Sequence, residues 1–212
     1  MPENPTWPRV SVVFPEHYAD AATVLARAFL NDPLLVAVAG SPDPIERLRR
    51  LDGLFNVALR EHRNSGHPLL GVFDHGRLVC AAVVEGLDRP PASATILSGL
   101  PYIPALIRAV RFAGLIRVIK LVDALARSHP PEPHIYLNLL GVDPEFQGRH
   151  CGVAILDYLR ELVIARNDIH GVYLETATES NVAFYSRNQY KVLGEFHPLG
   201  VRMWRMFQPR LE

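Results

Sequence analysis

The chain has 212 residues, of which 49% are hydrophobic and 21% are charged. A chain of this size can bury a sizeable core without disulfides, so we expect one α/β domain that spans residues 1–212. The 22 basic and 22 acidic residues give a formal net charge of zero. This balance excludes the strong positive field that favours nucleic acid as a partner.

The cysteine content and the amino-terminal sequence both indicate a cytoplasmic protein. Cys80 and Cys151 are the only two cysteines, too few and too far apart for a disulfide framework. The first residues are polar and rich in proline, and the apolar stretch of a secretion signal does not follow them. We therefore expect a reducing environment for this chain.

The first half of the chain has the apolar spacing of one strand, two helices and a hairpin. In chain order we predict a strand at 10–14, helices at 16–30 and 44–63, and hairpin strands at 69–73 and 77–84. The sequence Asn31-Asp32-Pro33 should end the first helix, because proline disfavours helical backbone in the residue before it. We expect the two helices to cover the sheet.

The segment 101–127 is strongly apolar but carries the basic residues Arg108, Arg111, Arg117, Lys120 and Arg127. That charge is too high for an uninterrupted membrane span, so we expect no stable membrane insertion. We predict a helix or a helix pair, broken at Gly114, that packs over a binding pocket. A basic amphipathic helix on a membrane surface is the less favoured alternative.

The second half of the chain begins with a buried strand that runs through a polar loop into a helix. We predict strands at 134–142, 171–176, 192–196 and 201–207, and a helix at 152–167. The loop contains Gly148 and, at the helix start, Gly152, where the backbone can approach a ligand closely. Unpaired N–H groups and the helix dipole favour an anion there, so the loop indicates a pyrophosphate cradle.

Residues 147–152 resemble the Q/R-x-x-G-x-G/A signature with which the GNAT N-acetyltransferase superfamily binds acyl-CoA. Downstream, Leu174-Glu175-Thr176 and the stretch 181–185 are similar to that superfamily's fifth strand and the helix after it. Two positions depart from the pattern. His150 replaces the middle glycine, and Gln189 replaces the glycine after the helix. We expect the side chain of His150 to be accommodated at a negative φ.

The resemblance implies the GNAT fold, an α/β (α+β) domain with helices on both faces of a mixed, twisted sheet of six to seven strands. That sheet is splayed at the site of acetyl-CoA, which is the implied cosubstrate. A closer similarity is to puromycin N-acetyltransferases and their relatives. It rests on Glu132-Pro133, Leu174-Glu175-Thr176, the stretch 181–185, and a last strand around Trp204 and Met206.

By this resemblance, the pantetheine arm of the coenzyme lies beside the central strand, where the N–H of Leu140 or Val142 would stabilise an oxyanion. Arg149 would meet a phosphate or stay solvated. Asn181 would contact the coenzyme arm or cap its helix. The residues expected to contact the coenzyme are Leu140, Gly141, Val142, Gln147, Gly148, Arg149, His150, Cys151, Gly152, Val153, Asn181 and Tyr185.

Tyr185 is the candidate general acid, because the resemblance directs it at the coenzyme sulfur and a phenol can protonate a thiolate. Its alternative role is aromatic packing beside Phe184. Glu175, at a strand end, is the candidate base. Glu85 and His134 are the other polar residues considered, and each of the three is more often structural at such a position. Water can also remove the proton of an amine, so a protein base is not required.

Cys151 gives a rival mechanism, because a helix N-terminus lowers the pKa of a thiol and would make it an acyl-accepting nucleophile. The resemblance implies direct transfer instead. The nine histidines match no metal motif, so we expect no metal.

The sequence thus predicts an acetyl-CoA-dependent N-acetyltransferase that acts directly on a primary amine of a small molecule, as a monomer or homodimer. The alternatives are a non-catalytic acyl-CoA sensor and a protein or peptide N-acetyltransferase.

Overall fold

The computed structural model describes residues 8–64, 66–86 and 100–211. Its centre is one seven-stranded sheet in the order β1-β2-β3-β4-β5-β7-β6, in which β4 and β5 are parallel and the other neighbours are antiparallel. The strands are β1 Val10–Val12, β2 Leu69–Asp74, β3 Arg77–Glu85, β4 His134–Val142, β5 Gly171–Thr176, β6 Lys191–Phe196 and β7 Met203–Pro209.

Within the described ranges, six helices cover the two faces of this sheet. They are α1 Tyr18–Ala28, α2 Pro33–Ala39, α3 Pro44–Asn64, α4 Ile103–Ala126, α5 Cys151–Ile164 and α6 Glu179–Arg187. The helices α1 to α3 enclose one core with alternate residues of the hairpin strands, and α5 and α6 enclose the other core. The predicted fold class, a mixed sheet with helices on both faces, is confirmed.

The pleat of β3 separates the two cores. Ala81 and Val83 face α1 to α3, whereas Ala82 and Val84 face α5, as expected for side chains that alternate along a strand. All four are buried. A strand buried on both faces needs a continuous apolar run, which is what the sequence has here.

The helix α2 was not predicted. Asp32 caps it, since its Oδ1 accepts hydrogen bonds from the amides of Leu34 and Leu35 at 3.0 Å each. Pro33 occupies the first helical position, and Gly40 ends the helix at φ +60°. The sequence Asp32-Pro33 therefore both ends the helical region before it and starts the next helix. The earlier helix is also shorter than predicted, because a 3-10 turn at Pro15–His17 precedes α1.

The predicted helical segment after residue 100 is α4, but its break lies at Arg111 and not at Gly114. Arg111 has non-helical backbone angles, φ +64° and ψ 172°. Gly114 permits this kink, because a Cβ on it would lie 2.6 Å from Cβ of Val110. Gly114 thus lies about one helical turn after the kink at Arg111. The helix packs on α2, α3 and the turn Pro198–Gly200.

Within the described ranges, no single helix has the length and apolar character of a membrane span, although the Pro15–Ala28 and Pro33–Ala39 pair, bent by 110°, passes that test together. Both members of this pair contribute to the buried core against the sheet.

The strands β4 and β5 diverge soon after they begin. They pair only at His134–Gly171, Ile135–Val172 and Tyr136–Tyr173. Beyond Tyr136, β4 stays with β3 as far as Val142, while β5 stays with β7 as far as Thr176. A bulge leaves Asn138 of β4 without an opposite residue on β3, because Val83 pairs with Leu139 and Val84 with Leu137. The sheet is splayed at this point, and the gap exposes one edge of β4.

Candidate active site

The gap between the diverging strands opens into a groove of about 700 Å³. The end of β4, the loop before α5 and one face of α6 form its walls. Of the residues predicted to contact the coenzyme, all but Arg149 line this groove. Their role as coenzyme contacts stays a prediction, but they do converge on one concave surface.

The backbone of β4 presents hydrogen-bonding groups to this groove. The amide of Asp143 donates to the carbonyl of Val79 on β3 at 2.9 Å. Because backbone groups of successive strand residues point to opposite sides, the N–H and C=O of Val142 point away from β3, as do those of Leu140. The Gln147 side chain accordingly reaches the Val142 carbonyl at 3.5 Å. Either Leu140 or Val142 can therefore offer an N–H to a ligand.

The cradle loop ends at His150, whose conformation differs from the prediction. Its φ is +61° and its ψ is +9°, which is the left-handed helical region and not a negative φ. The residue thus has the backbone conformation that glycine adopts readily. This conformation is energetically unfavourable for histidine, because histidine has a Cβ. Gly148 also has a positive φ, +77°, with open space where a Cβ would stand.

The turn at His150 aims the start of α5 into the groove. The first bond of this helix runs from the amide of Ala154 to the carbonyl of His150. The N–H groups of Cys151, Gly152 and Val153 therefore have no partner inside the helix, and the dipole of α5 is positive there. A Cβ on Gly152 would lie 3.5 Å from the Phe184 ring, so the groove is narrow at this residue. The loop fits a pyrophosphate group.

An ion-pair network fixes the loop to the body of the protein. Asp143 is 1% exposed. Its carboxylate lies 3.3 Å from Arg27 of α1 and 2.9 Å from Arg77 of β3, and it accepts the amide of Glu145 at 3.0 Å. Arg27 also reaches Glu145 at 2.8 Å. A buried carboxylate with two cations and an amide is well compensated, so it holds the loop rigidly.

Arg149 lies outside the groove. Its guanidinium stacks on the Phe146 ring at 4.7 Å, and Arg77 lies 5.1 Å from the centroid of the same ring. Arg149 is exposed there, so its two predicted roles, a phosphate contact or a solvated side chain, both stay predictions. The groove has another cation, Arg187 at the end of α6, which sequence reasoning missed.

The helix α6 presents one face to the groove. Asn181, Phe184, Tyr185 and Asn188 all line it, at the i, i+3, i+4 and i+7 spacing of a single helical face. Thr178 and not Asn181 caps the helix, since its hydroxyl accepts the amide of Asn181 at 3.3 Å. The side chain of Asn181 is therefore available to a ligand.

Tyr185 is buried between the groove and the core. It is 8% exposed and packs edge to face against Phe184 and Tyr190, at centroid distances of 5.1 Å and 5.6 Å. Burial raises the pKa of its phenol, with smaller contributions from Cys80 and Asp32. Its hydroxyl has no hydrogen-bond partner in the described part of the chain. Tyr185 thus packs with Phe184, as one interpretation required, and also keeps a protonated hydroxyl.

A second, smaller cavity of about 140 Å³ adjoins the groove. Its walls include Leu34 and Leu35 of α2 and Leu121 and Leu125 of α4, while Glu175 belongs to its polar side. The two cavities share Phe29, Asp32, Leu140, Asn181 and Tyr185. The predicted role of the apolar segment, to pack over a pocket, matches the position of α4.

Glu175 lies in this smaller cavity within a network of hydroxyl groups. Its Oε1 accepts the Ser128 hydroxyl at 2.6 Å, and Tyr136 hydrogen-bonds to the same carboxylate. The Tyr173 hydroxyl donates instead to the Ser128 carbonyl at 3.0 Å. Burial, followed by the nearby Glu175, raises the pKa of both tyrosines, so they remain neutral donors. A carboxylate that already accepts hydrogen bonds is stabilised as an anion and is a weaker proton acceptor than a free one.

The other two base candidates belong to structural contacts. The carboxylate of Glu85 accepts the Asn138 amide at 2.8 Å across the bulge. His134 is buried, stacks on His129 at a centroid distance of 5.3 Å, and lies 2.6 Å from the Glu132 carbonyl through Nδ1. Neither residue lines the groove or the smaller cavity.

Cys151 does not have the lowered pKa expected of a helix N-terminus. Burial raises the pKa of its thiol, and Sγ donates to the Arg149 carbonyl at 3.8 Å. The residue is 5% exposed. Desolvation therefore outweighs the backbone hydrogen bond and the Arg149 charge, which lower this pKa, and the thiol is not activated as a nucleophile.

Asp32 is the carboxylate that sequence reasoning missed at this site. It caps α2, and it lines both the groove and the smaller cavity. Its sequence signal, Asp before Pro, indicates a helix cap but says nothing of a cavity. Within the described residues, three or more histidine, cysteine, aspartate or glutamate side chains do not group as a metal site.

The profile of the Acetyltransferase (GNAT) family matches residues 41–190, which include the cradle, α6 and most of the residues that line the groove. The chain belongs to the GNAT acetyltransferase family. This family transfers acetyl groups from acetyl-CoA. The pyrophosphate of that donor is the kind of anion that the cradle fits. No curated protein sequence matches the chain significantly.

Solved structures share this GNAT fold at low sequence identity. A histone acetyltransferase HPA2 and related acetyltransferase from Corynebacterium glutamicum has a TM-score of 0.71 and 22% identity, with 98% of each chain covered. Arylalkylamine N-acetyltransferase 2 from Aedes aegypti has a TM-score of 0.58 and 12% identity over 94% of this chain and 96% of that one.

The ribosomal-protein-S18-alanine N-acetyltransferase from Escherichia coli has a TM-score of 0.56 and 11% identity over 96% of this chain and 94% of that one. These names include both a small amine and a protein as acceptor. The GNAT fold alone therefore does not identify the acceptor.

The left-handed turn at position 150 gives a stability prediction for this GNAT protein. His150→Val should lower the free energy of unfolding by about 1–2 kcal/mol, because a β-branched side chain is disfavoured at positive φ. His150→Gly should stay within about 1 kcal/mol of the parent, since relieved strain offsets the entropy of glycine. Urea denaturation measures both variants. A valine variant as stable as the parent would contradict the assigned φ.

The cradle predicts a selective loss of acetyl-CoA binding. Gly152→Asp puts a negative charge in the narrow part of the groove, so the affinity for acetyl-CoA should fall by roughly 100-fold or more. An aspartate in the first helical turn stabilises α5, so the fold should remain intact. Gly152→Ala is the matched control and should keep the affinity within about tenfold, because its Cβ makes only ordinary contacts. Calorimetric titration with acetyl-CoA measures the affinities. Unchanged binding by the aspartate variant would show that the pyrophosphate does not bind at the start of α5.

Proposed function

We propose that this chain transfers the acetyl group of acetyl-CoA directly to the primary amine of a small molecule. The observation that carries the proposal is the junction of two cavities at Tyr185. The groove with the cradle ends there, and the smaller cavity begins there. A thioester in the groove and an amine in the smaller cavity would meet beside the same hydroxyl, which gives the proximity that acyl transfer needs.

The size and walls of the smaller cavity support a small acceptor. Its volume is about 140 Å³, and leucines of α2 and α4 line it. The helix α4 also packs against the turn Pro198–Gly200, on the side of β7. A peptide acceptor needs an open cleft in which its backbone can lie. The cover that Leu121 and Leu125 provide favours a compact molecule over a protein.

The backbone of β4 and the phenol of Tyr185 have complementary roles in this proposal. The N–H of Leu140 or Val142 stabilises the negative charge that develops on the thioester oxygen. Tyr185 gives its proton to the departing sulfur, and burial, which raises its pKa, keeps the phenol protonated at neutral pH until then. Asn181, next to Tyr185 on α6, positions the coenzyme arm.

Direct transfer is supported by the state of Cys151. Its buried thiol has a raised pKa and so lacks the thiolate that a covalent route needs. The sequence motifs that resemble those of puromycin N-acetyltransferases would also imply a small amine as the acceptor, without identifying puromycin itself. Cys80 and Cys151 are both free thiols, in keeping with the proposed cytoplasmic location.

A non-catalytic acyl-CoA sensor is the alternative from another functional class. It would keep the cradle but would not need a hydroxyl at the junction. A panel of primary amines, assayed for release of the coenzyme thiol from acetyl-CoA, separates the two. We expect thiol release with apolar monoamines. Tight binding of acetyl-CoA without thiol release from any amine would favour the sensor.

The role of Tyr185 predicts a loss of turnover without a loss of stability. Tyr185→Phe should lower kcat by roughly 100- to 10,000-fold, because it deletes the proton donor and keeps the ring. The hydroxyl has no partner in the described chain, so the melting temperature should change little. Steady-state kinetics and thermal unfolding measure the two effects.

Tyr190→Phe is the matched control. Tyr190 packs on Tyr185, its buried hydroxyl also has no partner in the described chain, and it lines neither cavity. Its phenylalanine variant should retain the parental kcat. Equal loss in both variants would assign the effect to packing, and full activity of Tyr185→Phe would remove Tyr185 from the reaction.

Direct transfer also predicts that the protein itself is not acetylated during turnover. Incubation with acetyl-CoA alone, followed by intact-protein mass spectrometry, should give the unmodified mass, because the thiol of Cys151 is protonated and buried. An acetyl adduct on Cys151 that an added amine removes would establish the covalent route instead.

A further inference from the structure

We propose that Asp32 binds the acceptor amine as an ammonium ion and takes its proton, so that the enzyme selects apolar monoamines without a carboxylate. This inference rests on the proposed N-acetyltransferase function and adds the residue that recognises the acceptor. Among the residues that both cavities share within the described chain, Asp32 is the one carboxylate. It therefore lies where the amine must meet the thioester.

The two oxygens of Asp32 have different environments. Oδ1 accepts the amides of Leu34 and Leu35, both at 3.0 Å. Oδ2 has no hydrogen-bond partner among residues 8–64, 66–86 and 100–211. The backbone thus fixes the carboxylate in one orientation and leaves an oxygen for a ligand. A substrate-binding group needs this kind of preorganisation.

The charge of Asp32 has no counter-ion within the described chain. The neighbouring Asn31 binds Arg47, at 3.2 Å through the Asn31 side-chain oxygen, but Asp32 forms no such ion pair. Burial raises the pKa of Asp32, and the two amides only partly oppose this effect. A half-buried carboxylate without a cation is stabilised when a cation arrives, and an ammonium supplies that charge. A raised pKa also makes the carboxylate a better proton acceptor.

The other carboxylate of the smaller cavity is less suited to this role. Glu175 already accepts hydrogen bonds from Ser128 and Tyr136. Asp32 also lies close enough to Tyr185 to contribute to the raised pKa of its phenol. Asp32 as the base and Tyr185 as the acid would therefore lie on either side of the thioester carbon, where the amine nitrogen replaces the sulfur.

The proton balance of this step is complete. The ammonium gives one proton to Asp32, and the free nitrogen attacks the thioester carbon. The carbon–sulfur bond breaks with its electron pair on sulfur, which takes the proton of Tyr185. The nitrogen then gives a second proton to the Tyr185 phenolate, and Asp32 releases its own to water. The products are the amide, the coenzyme thiol and one proton.

The walls around Asp32 define the class of acceptor. Leu34, Leu35, Leu121 and Leu125 surround the body of the molecule with apolar surface. A carboxylate on the acceptor would face both Asp32 and Glu175 and would be repelled. The favoured acceptor is thus a cationic primary amine on a short apolar or aromatic body. Amino acids are disfavoured.

The test uses three probes that differ in one group each: 2-phenylethylamine, the neutral 2-phenylethanol, and phenylalanine, which adds a carboxylate. They are titrated by calorimetry into the full chain saturated with coenzyme A. The parent should bind the amine at least roughly tenfold more tightly than either other probe. Asp32→Asn should reduce this preference to within about twofold, since asparagine keeps the helix cap but removes the charge.

Asp43→Asn is the matched control. Asp43 caps α3 through bonds from the amides of Ile45 and Glu46, at 3.2 Å and 3.3 Å, and it is exposed. This variant should keep the preference for the amine. A parent without that preference, or an Asp32→Asn variant that retains it, would overturn the proposal.

A kinetic arm separates this inference from the proposed function. With 2-phenylethylamine as acceptor, Asp32→Asn should lower kcat/KM by roughly 100-fold or more, while acetyl-CoA affinity and melting temperature stay near the parental values. If the parent acetylates the amine and the variant does so equally well, the role of Asp32 is wrong and the function stands. If the parent acetylates no amine, the function is wrong, and the binding preference still decides the role of Asp32.

Discussion

The early divergence of β4 and β5 is the constraint on which the rest of the site depends. Three residue pairs join these strands before β4 follows β3 and β5 follows β7. If β4 and β5 paired along their whole length, the backbone N–H and C=O groups of β4 would bond to β5 and leave no place for a ligand. Because the strands separate after Tyr136, the backbone of Leu140 and Val142 meets an open groove. The same separation admits α6, whose tyrosine fills the base of the groove.

The site combines a rigid cradle with a partly desolvated reaction point. Asp143 fixes the cradle through Arg27 and Arg77, so the amides at the start of α5 keep their direction. At the junction of the two cavities, burial raises the pKa of both Asp32 and Tyr185. Burial thus makes Asp32 a better proton acceptor and keeps the phenol of Tyr185 protonated. This arrangement suits the transfer of an acyl group between two bound substrates.

Most of the strands and the cradle loop could be predicted from the residues themselves, because periodicity and glycine spacing are local signals. The fold class and the full set of coenzyme contacts were implied by the resemblance to the GNAT superfamily. Several features depended on competition between local effects. At His150, the required left-handed turn outweighs the preference of the side chain for negative φ. At Cys151, burial raises the pKa of a thiol for which the position at a helix start predicted a lowered value. The role of Asp32 at the cavities depends on α4, a helix far away in the sequence, so local reasoning could identify only its cap.

The central claim, that acetyl-CoA lies between β4 and the start of α5, is tested most directly by hydrogen–deuterium exchange at single-residue resolution. Saturating acetyl-CoA should slow exchange at the amides of Gly148, Cys151, Gly152 and Val153, and at Leu140 or Val142 on β4, because these N–H groups gain a ligand partner. Amides on the outer strands β1 and β6 should change little. Protection confined to other parts of the chain, with these amides unchanged under saturation, would contradict the account.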